Sequence, residues 1–254
     1  RAASRKDIVM AKVVVLSGGG IKSAVAAARY TKEHELAVVH VNYGQPSASR
    51  EQNAIVALLQ SFPNARLIPV TLPHVAELER GAVALQKPGV VGLNPQPMPR
   101  TRGVPVQPPA AALIRGLVPM LMATGVQAAL RGGASTLVSG MMRHGVGEHL
   151  GLSRDDESRD ARREFLHAFA IAVDALLGGR GELRIEAPLI DLAYADAIKL
   201  ASRFGVPLDR TWTCICGYAT ACAQCEPCKA RAAAFTAAGL TDPAVKVDPS
   251  LQPA

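Results

Sequence analysis

The first 213 residues contain no cysteine, and then five fall between Cys214 and Cys228. No apolar run approaches the roughly 18 residues that span a bilayer, and no secretory pattern is present, so a cytoplasmic setting with no membrane partner is expected. In such a reducing compartment clustered thiols are more often metal ligands than disulfides. Long basic runs are also missing. The net charge of +7 is spread along the chain, which suits an anionic ligand such as a nucleotide and makes a nucleic-acid partner unlikely. The Walker pattern is absent too, because glycines at positions 16 and 21 would be needed where Leu16 and Ile21 stand. Nor does the sequence fit the G-x-G-x-x-G dinucleotide fingerprint.

What is present at the C-terminal end is Cys214, Cys222, Cys225 and Cys228 in the spacing C-x7-C-x2-C-x2-C. Two overlapping C-x2-C pairs supply three sulfurs with little loop-closure cost, and a fourth closes a tetrahedron around zinc. Free thiols or an iron–sulfur cluster are the alternatives. Cys216 is expected to be a spare thiol, because the neighbouring C-x-C geometry is cramped. Four sulfur ligands leave no open position, so the expected role of the zinc is structural.

With 254 residues and 49% hydrophobic content, the chain can bury one large core with a small appended lobe. Arg1 to Val9 reads as a non-native leader, residues 10–208 as an α/β domain and 209–254 as the zinc-binding lobe. Strands are predicted at Lys12–Leu16, Leu36–Val41, Arg66–Val70, Ser135–Ser139 and Leu183–Ala187. Helices are predicted at Ser23–Arg29, Glu51–Gln60, Ala110–Arg131 with an interruption at Pro119, Arg163–Leu177 and Ala193–Phe204. The alternation implies a doubly wound, parallel five-stranded sheet. Eight prolines between Leu72 and Pro109 mark a long irregular excursion, either a substrate lid or an insertion without function.

In doubly wound sheets ligands bind beyond the carboxyl ends of the strands. The loop after the first strand, Ser17-Gly18-Gly19-Gly20-Ile21-Lys22-Ser23, is therefore the candidate site. Glycines let backbone amides approach phosphate oxygens, and the following helix N-terminus attracts negative charge. The same stretch also reads as a tight turn and nothing more.

Together with Thr211-Trp212-Thr213-Cys214 through Cys228-Lys229-Ala230-Arg231, this loop resembles the 7-cyano-7-deazaguanine synthase (QueC) family of pyrophosphate-loop ATPases, which have an adenine nucleotide hydrolase-like fold. The resemblance extends to Asn42-Tyr43-Gly44-Gln45 with Glu51, Arg115, Asp160, Arg162, Glu164, Phe165, Glu186 to Asp191 and Gly205 to Leu208. It implies an ATP-dependent ligase: adenylation of a 7-deazaguanine carboxylate, displacement of AMP by ammonia, and dehydration of the amide to a nitrile, with Mg2+ on the pyrophosphate. It also implies Leu16, Ser17, Gly18, Gly19, Gly20, Ile21, Lys22, Ser23, Ala24, Tyr43 and Gln45 around the nucleotide, and Lys22, Arg115, Asp160 and Arg162 at the chemistry. The four cysteines match the family spacing, and a homodimer is expected.

The departures sit at the presumed reacting positions. The family's Ser-Gly-Gly-x-Asp-Ser loop has lost its carboxylate here. Aligned on Ser23, Lys22 takes the aspartate position; aligned on Ser17, one residue is inserted. Gly116 stands for the family's asparagine and Ala161 for its cysteine. Three readings follow: an active deazaguanine-carboxylate ligase, a paralogue running related ATP chemistry on another acceptor, and a catalytically silent nucleotide-binding or partner protein. His144, Glu148 and His149, and the acidic Asp155-Asp156-Glu157, read either as metal or acid–base groups or as solvated surface loop.

Overall fold

The computed structural model describes residues 11–78, 114, 116–142 and 162–244. Strands β1 (Ala11–Leu16), β2 (His34–Asn42), β3 (Ala65–Thr71), β4 (Thr136–Ser139) and β5 (Arg184–Glu186) form one sheet of order β3-β2-β1-β4-β5. Every neighbouring pair is parallel, so the doubly wound five-stranded α/β sheet expected from the sequence is the fold.

The apolar runs alternate between two cores because successive strand residues point to opposite faces. Val13 and Val15 of β1, with Leu36 of β2, pack on α1 (Ile21–Ala28), α6 (Tyr194–Phe204) and α7 (Glu226–Ala238). Val14, Val39 and Leu137 face the other way, onto α4 (Leu117–Gly132) and α5 (Arg163–Leu176). The two remaining helices are α2 (Ala48–Leu59) and α3 (Pro73–Leu78). Both cores are made chiefly of Val, Ala and Leu, as burial on both faces of a parallel sheet requires.

Three elements differ from the expectation. Pro119 does not interrupt a helix: α4 begins at Leu117, so Pro119 lies in its first turn, where a backbone N–H has no intrahelical partner to lose. The proline-rich excursion opens with α3, and the rest of it lies outside the described residues. Finally α7, not anticipated from the sequence, carries the chain out of the cysteine cluster and back into the main core. Ala230, Ala234 and Phe235 there share the layer of α1 and α6. Among the described residues no helix is long and apolar enough to cross a membrane.

Candidate functional site: a glycine loop tied to a four-cysteine cluster

The chain leaves β1 toward β2 and β3 on one side, and returns to β4 and β5 on the other. The carboxyl ends of β1 and β4 are thus the topological switch point, where crevices open in such sheets. Ser17 to Gly20 follow β1 at that point, and α1 starts at Ile21 with Gly20 as an N-cap that makes no side-chain bond. The first amides of α1 therefore remain for an anion.

The loop is held from inside. The Ser17 and Ser23 hydroxyls are 2.9 Å apart, the Gly19 N–H donates to Ser17 Oγ at 3.1 Å, and the Ser23 hydroxyl donates to the Gly20 carbonyl at 3.1 Å. Gly19 adopts φ +70°, and a Cβ there would lie 2.6 Å from the Glu51 carbonyl oxygen, so only glycine fits. Gly140, directly after β4, presses on the start of α1: a Cβ would stand 2.7 Å from the Ser23 nitrogen and 2.8 Å from the Lys22 carbonyl carbon. Gly140→Ala is expected to push the α1 N-terminus away and destabilise by about 1–3 kcal/mol. A denaturant titration checks this, and an unchanged midpoint would mean that the two loops are not in firm contact.

Beneath the loop lies a polar network. Gln45 is buried, and both ends of its amide are engaged: Oε1 accepts from the Tyr43 N–H at 2.9 Å, while Nε2 donates to the Val41 carbonyl at 3.0 Å and to Glu51 Oε2 at 2.9 Å. The Ser47 hydroxyl donates to Glu51 Oε1 at 2.5 Å. Gln45 and Glu51 thus shape the turn after β2, and burial followed by the Glu51 charge pushes the Tyr43 phenol above its ordinary range. His40 escaped the sequence reading. It is 1% exposed, and its Nδ1 lies 3.3 Å from the Ser17 carbonyl and 3.9 Å from Glu51 Oε2. The signal available for it was one polar residue inside the apolar run Val38-Val39-His40-Val41.

The expected site residues separate by role. Ile21 and Ala24 are 1% and 2% exposed in the core, and Leu16 packs toward Gly125, so these three support the loop from below. Counted from Ser17 without an insertion, the family's aspartate position falls on Ile21, the first residue of α1. A buried isoleucine there leaves the loop without a carboxylate at this point. The Lys22 amine lies 5.7 Å from the centroid of the Tyr194 ring, and burial lowers its pKa. Gly116 takes φ +78° at the N-cap of α4, a left-handed conformation that glycine and asparagine both tolerate. Exchanging one for the other therefore removes a side chain without altering the backbone. Arg162 is the N-cap of α5. Arg115, Asp160 and Ala161 lie outside the described residues, as do His144, Glu148, His149 and the Asp155–Glu157 stretch.

The cysteine cluster stands against the same loops. The Trp212 N–H donates to the Gly19 carbonyl at 2.8 Å, and a Cβ on Gly217 (φ +69°) would lie 2.2 Å from the Pro46 carbonyl oxygen. Trp212 also donates from Nε1 to the Cys214 carbonyl at 2.6 Å, and Arg50 lies over its ring. The sulfurs of Cys214, Cys222, Cys225 and Cys228 all lie within 4.8 Å of one another. Zinc–sulfur bonds of about 2.3 Å require sulfurs about 3.8 Å apart at the corners of a tetrahedron, so a small contraction fits this donor set to zinc. Cys225 is the N-cap of α7 and Cys228 lies in its first turn, at the helix end that favours thiolates. Hydrogen bonds from the Cys225 and Cys228 thiols, and from the Cys222 amide, hold Cys214 well below the ordinary thiol range. Cys216 is outside the group of four, as the sequence suggested.

The family model for queuosine biosynthesis protein QueC matches residues 138–239, from the end of β4 through α7. The 7-cyano-7-deazaguanine synthase of Nitratiruptor sp. is 28% identical over 238 residues, covering 91% of this chain and 96% of that protein. That of Acidobacterium capsulatum is 28% identical over 244 residues, covering 91% and 95%. The Chlorobium phaeobacteroides protein of the same name is 29% identical over 238 residues, covering 92% and 96%. The chain is similar to the 7-cyano-7-deazaguanine synthases along nearly its whole length, and to the QueC model over residues 138–239, which hold all five cysteines.

Proposed function

We propose that this chain binds ATP at the Ser17–Ser23 loop and acts as a ligase on a 7-deazaguanine carboxylate, in the cytoplasm. The observation that carries the reading is the glycine loop at the switch point, its free helix amides backed by the cysteine cluster through the Trp212–Gly19 hydrogen bond. A carboxylate is a poor electrophile until one oxygen joins a good leaving group, and adenylation by ATP with Mg2+ supplies that. The chain's part is to hold the departing pyrophosphate with the Gly18, Gly20, Ile21 and Lys22 amides at the α1 N-terminus and with the Ser17 and Ser23 hydroxyls. Ammonia then meets the activated carbonyl in the crevice between the β1 and β4 loops. Arg115, Asp160 and Arg162 are proposed to contact the acceptor, in line with the family resemblance, and the protein to work as a homodimer, which its alanine-rich helices suit.

A second reading, a nucleotide-binding partner without ligase chemistry, is favoured by one observation. Ile21 is buried at the start of α1, so the loop offers no carboxylate there to a magnesium ion. The lack of the family's asparagine and cysteine side chains at Gly116 and Ala161 would equally suit a ligase for a different acceptor.

Incubation with ATP, Mg2+ and 7-carboxy-7-deazaguanine, with and without ammonium, distinguishes these. AMP and nitrile are expected only when ammonium is present. Calorimetric titration should show ATP binding that survives Lys22→Ala to within about threefold, since backbone amides and the helix end carry the anion affinity. Binding without turnover would select the silent reading, and undetectable ATP binding would defeat the site assignment itself.

A further inference from the structure

Cys216 is not isolated. Its sulfur lies 3.7 Å from that of Cys222, while the group of four that fits a metal excludes it. Cys214, Cys225 and Cys228 are buried, at 1%, 1% and 8% exposed, whereas Cys216 and Cys222 are both partly exposed. The partly exposed cysteine of the group of four is therefore the one with a fifth thiol beside it. We infer that Cys216 and Cys222 form a peroxide-oxidisable dithiol, a modification site whose closure withdraws one ligand from the cysteine cluster and releases its metal.

The electron balance is simple. A peroxide oxidises the Cys216 thiol to a sulfenic acid, and one water leaves. The Cys222 sulfur then attacks the sulfenic sulfur, forming the S–S bond, and the displaced hydroxide takes up a proton as the second water. Two sulfurs have lost two electrons and the peroxide has gained them. The attack needs the sulfurs to approach from 3.7 Å to a bond of about 2.05 Å, a movement within reach of side-chain rotation in an irregular loop. Three cysteines are left, a set that no longer closes the tetrahedron.

The consequence reaches the candidate nucleotide site by contacts already described. Gly217, next to Cys216, abuts Pro46 after β2, and Trp212 holds the Gly19 carbonyl. Closing the dithiol moves the loop on which both contacts rest.

The test uses the full chain loaded with zinc and treated with hydrogen peroxide. Zinc release is followed with a chromogenic chelator, and thiols are mapped by peptide mass spectrometry without reductant. The unmodified protein should release zinc together with appearance of a Cys216–Cys222 disulfide, and recover it with dithiothreitol and added zinc. Cys216→Ser should bind zinc stoichiometrically before treatment and release it several-fold more slowly; Cys216→Ala serves as a second variant of similar size. Equal release rates, a disulfide between other cysteines, or a Cys216→Ser protein that lacks zinc from the start would each overturn the inference. Zinc release is read without nucleotide, so failure here leaves the ligase reading untouched.

Discussion

Cys225→Ser is expected to abolish stoichiometric zinc binding and to lower the unfolding midpoint by at least about 10 °C. Structural zinc contributes folding free energy on the order of 10 kcal/mol, and each kcal/mol moves the midpoint by about 2–4 °C in a chain of this size. Cys225 is the residue to change because it is 1% exposed, belongs to the four clustered sulfurs and is the N-cap of α7. The damage should spread, because α7 belongs to the main core with α1 and α6 and the strand of residues before the cluster holds Gly19 through Trp212. Elemental analysis with a thermal melt measures both effects. A variant that keeps one zinc would remove Cys225 from the ligand set; one that loses zinc without a shift in midpoint would make the metal incidental to the fold.

Arg231→Ala should cost about 3–5 kcal/mol, the usual penalty for stranding one member of a buried ion pair. Arg231 and Asp242 are 8% exposed at their side chains and joined by two bonds, Nε to Oδ2 at 2.6 Å and Nη2 to Oδ1 at 2.8 Å. The same guanidinium donates to Thr211 Oγ1 at 2.8 Å, Thr213 Oγ1 at 3.1 Å and the Leu208 carbonyl at 3.1 Å, and lies over the Phe235 ring. It binds α7 to the residues that lead into Trp212. Without it, Asp242 keeps a buried charge, and the Thr211 carbonyl and the Thr211 and Thr213 hydroxyls lose a donor. Arg231→Lys should recover little, since one ammonium cannot reproduce a planar fork of five N–H donors. Urea unfolding at neutral pH gives the number, and a loss under about 1 kcal/mol would show that the pocket rearranges or admits water.

Much of this arrangement was legible in advance for a specific reason. Each strand is a short run such as Val13-Val14-Val15 that must bury both faces, and alternation with helices leaves few topologies for such runs. The position of the glycine loop at the carboxyl end of β1 was legible because Val13-Val14-Val15-Leu16 runs directly into Ser17-Gly18-Gly19-Gly20. Pro119 misled because composition does not reveal whether a proline falls in a first turn or a middle one; only the position of the helix start, at Leu117, makes it harmless. His40 was invisible because its role depends on Glu51 and the Ser17 carbonyl, which β2 meets only after the sheet has formed.

The sequence by itself determined the five strands and most helices, their parallel direction and the set of cysteines, since periodicity, glycine and thiol spacing are short-range properties of the chain. Tertiary structure alone decided that Cys216 sits beside Cys222, that Ile21 takes a core position at the start of α1, that Lys22 lies over Tyr194, and that Arg231 ties α7 to the approach to the cluster. These are contacts between segments six to more than 170 residues apart. Their distances follow from how layers pack, and packing is a property of the whole core that no local pattern carries.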